Sequence, residues 1–155
     1  MELRKGLAVA AASVATIVGV AGGTASATPT SAPAVQQQID AYVSTHSEAR
    51  QIDADIVSIP GGTLTMPLPG FAPTGAAISC AEGHLCIQDS TGRRWDFSSC
   101  GLYSIDPVGT GVLFNNQTSG TVTKFYNSDG SPRWTSIAKE MGSVFLSVIY
   151  AVRPC

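Results

Sequence analysis

The chain has 155 residues, nine of them basic and eleven acidic, for a formal net charge of −2. Only 13% of the residues are charged and 44% are hydrophobic. With no basic run and no basic helix, this balance argues against nucleic acid or an anionic lipid surface as a partner.

Arg4 and Lys5 precede an apolar stretch from Leu7 to Val20, broken only by Ser13, Thr16 and Gly19. Gly22, Gly23 and Ala25-Ser26-Ala27 follow. A positive region, an apolar run and a small-residue end describe a secretory signal peptide over 1–27, with cleavage expected after Ala27. The run is shorter and richer in alanine than the ~20 strongly apolar residues of a spanning helix. The expectation is therefore a secreted, extracellular protein, with no membrane association after cleavage. Without the leader, 128 residues remain, seven basic and ten acidic, at about −3.

Residues 28–66 read as a helix-and-hairpin appendage. Thr28-Pro29-Thr30-Ser31-Ala32-Pro33 has the composition of a flexible lead-in. Val35, Ile39, Tyr42 and Val43 recur at helical spacing and predict an amphipathic helix over 34–45. Asp55-Ile56-Val57-Ser58-Ile59 and Thr63-Leu64-Thr65-Met66 flank Pro60-Gly61-Gly62, which predicts a hairpin. Such a unit cannot bury much area alone, so it must pack on the rest of the chain or stay disordered. A third, weaker role for it is a removable pro-segment. Pro67, Pro69, Gly70, Pro73 and Gly75 make 67–78 a linker.

Residues 79–155 read as strands and turns. The predicted strands lie around Leu85-Cys86-Ile87, Trp95-Asp96-Phe97, Val112-Leu113-Phe114, Val122 to Tyr126, Arg133-Trp134-Thr135 and Val144 to Val152. Short strands at regular spacing predict a sandwich or barrel. Two turns look alike: Ile87 to Trp95, and Phe125 to Trp134. They align at an offset of 38 to 39 with one inserted residue, as two copies of a supersecondary unit would, or as two hairpin turns of like chemistry.

Four cysteines, Cys80, Cys86, Cys100 and Cys155, allow three connectivities. Cys80 and Cys86 bracket a short loop in which Gly83 permits a tight reversal. Pairing them leaves Cys100 for Cys155, and this is the expected set. An export leader makes disulfides a better use of these thiols than zinc, whose common ligand spacings are absent.

The residues do not argue for an enzyme or a cofactor. His46 follows the helix in a polar turn and His84 lies in the cysteine loop; both read as exposed. No Gly-x-Ser-x-Gly elbow, His-Glu-x-x-His or phosphate-binding glycine loop is present. Asp53 and Asp55 fit a solvated strand edge. Trp95, Trp134, Tyr103, Tyr126 and Tyr150 could stack on a sugar, but aromatic residues on strands more often fill a core. Asn116-Gln117-Thr118 matches the glycosylation acceptor pattern, as would an asparagine-rich turn.

Cys80-x-x-Gly83-x-x-Cys86, followed by Cys100-Gly101-x-Tyr103, resembles the microbial metalloproteinase-inhibitor family, mostly from actinobacteria. Asn115-Asn116-Gln117-Thr118-x-Gly120 and Val152-Arg153-Pro154-Cys155 resemble segments of uncharacterised exported proteins grouped with it. So do Val35-Gln36-Gln37-Gln38-Ile39, Pro60-Gly61-Gly62 and Pro67-Leu68-Pro69-Gly70. The resemblance implies a mainly β, βγ-crystallin-like double Greek-key sandwich with disulfides, and a peptidase-inhibitory role. The sequence departs from the family where Gln88-Asp89-Ser90-Thr91-Gly92 replaces its aromatic-glycine signature.

The expectation is thus a non-catalytic, monomeric inhibitor of an extracellular peptidase. Its binding loop is Ala81 to Leu85, comprising Glu82, Gly83, His84 and Leu85, with Arg93 and Arg94 in the neighbouring Ser90–Arg94 turn and Ser128–Arg133 close by. The alternative is an extracellular structural or calcium-binding module. Its weak cation candidate is Asn115, Asn116 and Ser119, with Gly120 standing where the related motif has a second serine; calcium usually also wants carboxylate.

Overall fold

Alternation of apolar and polar residues sets the architecture, and among the described residues one helix precedes the strands. The structure, a computed structural model, describes residues 32–70 and 78–155. The expected leader and much of the 67–78 linker lie outside the described residues. Among the described residues, no helix is long and apolar enough to cross a membrane.

Helix α1 (Ala32–Thr45) starts two residues before the predicted span. Pro33 sits in its first turn, where a missing N–H costs nothing. Val35, Ile39 and Tyr42 form its buried stripe. Burial pushes the Tyr42 phenol up to about 12, with the charge of Asp106 adding to it. At the other end the Ser44 hydroxyl donates to the Ala41 carbonyl at 2.8 Å, and the Thr45 hydroxyl and His46 N–H both donate to the Tyr42 carbonyl at 3.0 Å. These donors satisfy carbonyls that the helix end leaves open.

Among the described residues eleven strands follow: β1 (Arg50–Gln51), β2 (Ile56–Ile59), β3 (Gly62–Thr65), β4 (Leu85–Gln88), β5 (Arg94–Phe97), β6 (Tyr103–Ser104), β7 (Thr110–Asn115), β8 (Val122–Tyr126), β9 (Pro132–Ile137), β10 (Met141–Phe145) and β11 (Ala151–Arg153). They form two antiparallel sheets, a larger one ordered β1-β2-β3-β5-β4-β7-β10 and a smaller one ordered β6-β11-β8-β9. From β4 onward the order has a regularity. In each successive group of four, the first two strands make a hairpin, the third crosses to the opposite sheet, and the fourth returns beside the first.

The register of the larger sheet lines up Val57, Leu64, Trp95, Ile87 and Leu113 in one row across five strands. Every member of that row is buried. A parallel row runs Ile59, Gly62, Phe97, Leu85 and Asn115. Phe125 and Val152 from the smaller sheet and Leu146 and Ile149 from the β10–β11 connection belong to the same core cluster as the α1 stripe. Each fully buried large apolar side chain contributes about 1.5–3 kcal/mol.

Of the two fates open to the helix and hairpin, packing is the one observed. β3 is hydrogen-bonded along β5, so the segment before the linker extends the larger sheet and shares its core. A correction concerns Val144 to Val152, read from the sequence as one strand. The chain instead leaves β10 after Phe145, turns with the Ile149 N–H on the Leu146 carbonyl, and enters the other sheet as β11. Leu146 and Ile149 are buried between sheets, so the apolar run persists through a crossing that periodicity alone does not reveal.

The two look-alike turns are one turn type used twice, in hairpins β4–β5 and β8–β9. The Asp89 N–H donates to Arg93 O and the Gly92 N–H to Asp89 O, matching Asn127 to Ser131 and Gly130 to Asn127. Gly92 and Gly130 take φ of 93° and 78°, a region that favours glycine. The inserted residue in the second copy is also explained. Phe125 pairs with Trp134 and Tyr126 with Pro132, so Arg133 is the extra residue of a β-bulge.

Candidate functional site

The Cys80–Cys86 loop lies over the outer face of the larger sheet. Trp95 and Phe97 point inward, so Asp96 between them points out, opposite Cys86 on β4. Disulfides join Cys80 to Cys86 and Cys100 to Cys155, and among the described residues no cysteine is free. Two disulfides suit an oxidising, extracellular setting.

Within the loop, the His84 N–H donates to Ala81 O at 3.2 Å and closes a turn. Gly83 adopts φ of 85°, with open space where a side chain would stand. Asn116, just beyond β7, ties the turn down three times. Its carbonyl accepts from the Gly83 N–H at 2.9 Å, its N–H donates to His84 O at 3.0 Å, and its Nδ2 donates to Cys80 O at 2.9 Å. Lys139 Nζ reaches Asn116 Oδ1 at 3.0 Å and Glu82 Oε1 at 3.3 Å. His84 Nδ1 hydrogen-bonds Asp96 Oδ1, while Arg94 pairs with Asp96 Oδ2 at 3.0 Å and also reaches Ser79. The exposed part of the turn is its tip, Ala81, Glu82 and Gly83, with the Glu82 side chain 86% exposed.

Three residues expected in the binding surface are structural. Leu85 is fully buried in the row between Phe97 and Asn115 and belongs to the hydrophobic core. Arg93 bridges Asp89 at 3.0 Å and Asp106 at 2.9 Å, with its guanidinium stacked over Trp95. Burial opposes that charge, but the hydrogen bond and charge of Asp106 and the charge of Asp89 outweigh it and hold the pKa above the ordinary guanidinium value. Arg94 is half-buried and serves as the support of Asp96 under His84.

The candidate cation ligands point elsewhere. Asn115 is buried; its Nδ2 donates to Thr123 and Ser136, and its Oδ1 accepts from Gln117 at 3.0 Å. The Asn116 oxygen already accepts from the Lys139 ammonium, a charge that repels a cation. Ser119 lies exposed beyond them. Adding calcium is therefore expected to leave the melting temperature unchanged, and a chelator-reversible rise in a thermal-shift assay would contradict that. The bond from Asn116 Nδ2 to Cys80 O gives this side chain a structural partner in the segment after β7.

Three of the five aromatic residues are engaged within the protein. Trp95 is buried, Tyr103 stacks on Phe97 at 5.4 Å, and Trp134 stacks on Phe125 at 3.9 Å. His46 stacks on Tyr42 at 3.9 Å, with its Nδ1 within hydrogen-bond reach of the Tyr42 carbonyl. It borders a cleft of about 350 Å³ between the end of α1 and β6.

Asn116, Lys139 and Asp96 are the site residues that the sequence did not single out as loop supports. Asp96 shows in the sequence as a polar position flanked by Trp95 and Phe97 and Asn116 as a candidate ligand or acceptor, while Lys139 carries no signal. Comparison of the chain with protein-family models, with curated proteins and with solved structures finds no match.

Proposed function

We propose that the protein is an exported, non-catalytic binding module that blocks an extracellular peptidase with the Ala81–His84 turn. The carrying observation is the contrast between an exposed tip and a base that is fastened throughout. One disulfide, the Asn116 hydrogen bonds and the His84–Asp96–Arg94 chain all hold the base. A segment fixed before binding loses little conformational entropy when it docks, and that is how a small surface gains affinity. The Glu82 carboxylate leads the contact. The exchange of third strands between the two sheets supports a double Greek-key, βγ-crystallin-like reading of the fold, in line with the family that the cysteine motifs resemble.

The test mixes the purified, disulfide-bonded protein with thermolysin-type and subtilisin-type peptidases. Loss of activity in one class at micromolar excess is the expected result; full residual activity in both overturns the reading. Asn116→Ala removes the bond to Cys80 O and one acceptor of Lys139, loosening the turn without changing the residues of its tip. Inhibition should weaken roughly tenfold, equivalent to about 1.4 kcal/mol.

A further inference from the structure

The two sheets end in four edge strands, and three of them are guarded against pairing. β1 is two residues long and begins with Arg50, β6 is two residues long, and β9 begins with Pro132 and is kinked by the bulge at Arg133. Short, charged, proline-bearing or bulged edges resist pairing with another chain. β10, Met141-Gly142-Ser143-Val144-Phe145, has none of these devices. Among the described residues nothing pairs with its outer side.

We infer that β10 is a homodimerisation edge, taking β10 of a second copy in an antiparallel pair centred on Ser143. The hydrogen-bond parity carries the register. The Asn115 N–H donates to Glu140 O and the Leu146 N–H to Gly109 O, so the even-numbered residues of β10 bond to β7. In an antiparallel ladder the intervening residues, Met141, Ser143 and Phe145, aim their N–H and C=O groups the other way. These three are symmetric about Ser143. A two-fold axis there pairs Ser143 with its own copy and Met141 with Phe145 of the other chain, using every outward N–H and C=O of the three.

The side chains agree with that register. Met141 is 50% and Phe145 56% exposed, and the axis sets each Met141 beside a Phe145 on one face, a favourable thioether–aromatic contact. On the other face Val144 of the second copy comes opposite Gly142, where an added Cβ has nothing within 4 Å. That side opens on a groove of about 360 Å³ lined by Trp134, Leu113 and Val144. No charged residue lies within the strand, Glu140 borders the groove, and a net charge of about −3 without the leader leaves little repulsion between copies. Closed two-fold contacts are the commonest form of homo-oligomer. A five-residue strand spans only ~17 Å, so this pairing covers less than the ~1,200–2,000 Å² of stable complexes. The dimer is accordingly weak, with a dissociation constant on the order of 100 µM.

Sedimentation equilibrium of the disulfide-bonded protein tests this. The weight-average mass should rise toward twice the monomer value between micromolar and millimolar concentration. Ser143→Lys and Ser143→Glu each set like charges directly across the axis, on an exposed position that leaves the core alone. Each variant should stay monomeric, with the wild-type melting temperature, and an equimolar mixture of the two should dimerise again. A wild-type mass that stays monomeric to millimolar concentration overturns the inference. So does a Ser143→Lys variant that dimerises like the wild type, which would assign self-association to another surface.

Discussion

Asp89→Ala is expected to lower the unfolding free energy by about 3–5 kcal/mol, the range for removing one partner of a buried, hydrogen-bonded ion pair. The Asp89 carboxylate is 1% exposed and fully used. Its Oδ1 accepts from the Thr91 N–H, the Thr91 hydroxyl and the Arg93 N–H, and its Oδ2 from the Arg93 Nε and the Val108 N–H. Alanine leaves three backbone donors and a largely buried guanidinium without that acceptor, and an unmade bond costs more than a made one contributes. Asp106 still pairs with Arg93, which keeps the loss from being greater. Asp89→Asn preserves the shape and one acceptor oxygen but turns an amide NH₂ toward other donors, so an intermediate loss is expected. Denaturant midpoints at constant m would measure both. A loss below about 1 kcal/mol for Asp89→Ala would mean that the turn holds itself without this carboxylate.

That residue also shows where sequence reading stops. Gln88-Asp89-Ser90-Thr91-Gly92 announces a turn, and its kinship with the Asn127–Ser131 turn is visible because turn chemistry is local. The long-range partners of Asp89 are not. Val108 reaches it, and Asp106 reaches its partner Arg93, from the segment between β6 and β7, and no spacing rule relates them. The same division runs through the fold. Strands with strict alternation, such as Trp95-Asp96-Phe97, declared themselves, and Val122 to Tyr126 was bounded to the residue. Two-residue strands such as β1 and β6 carry no period to detect. The run from Val144 to Val152 carries an apolar signal that two sheets share, so it hid the crossing between β10 and β11.

The candidate site divides along a similar line. The cysteine spacing pointed to the 80–86 closure, because a loop that short with a glycine inside folds back on itself. Glu82 and Gly83 at its tip follow from that. The supports come from elsewhere in the chain: Asn116 from the end of β7, Lys139 from the β9–β10 connection, and Asp96 from β5. Asn115 and Asn116 drew attention as polar neighbours of one kind, yet they face opposite ways. One joins the buried network with Thr123, Ser136 and Gln117, and the other reaches the outer-face loop. Alternation separates adjacent residues across a sheet, and a sequence read for ligand motifs passes over that.

Replacing Cys100 and Cys155 together with serine is expected to cost about 4 kcal/mol, twice the roughly 2 kcal/mol for Cys80 and Cys86, because the bridges close loops of different length. The sequence separations are 55 and 6. For a domain of this size the larger loss corresponds to a fall in melting temperature on the order of 20 °C. The long bridge fastens the 151–155 segment, where β11 is the partner of β6 and lies beside β8. The Pro154 carbonyl accepts from Gln117 Nε2 at 2.7 Å and from the Thr123 hydroxyl at 2.8 Å, so this segment also completes the buried network around Asn115. Once unbridged, β11 can peel away, leaving β6 with no strand beside it and uncovering Val152 and Phe125. The short bridge stiffens an exposed turn that Asn116 already ties, so its loss stays local. Calorimetry of the two double variants would rank them. An equal fall in both, or a wild-type melting temperature untouched by reductant, would show that the strands hold the 151–155 segment without the sulfurs.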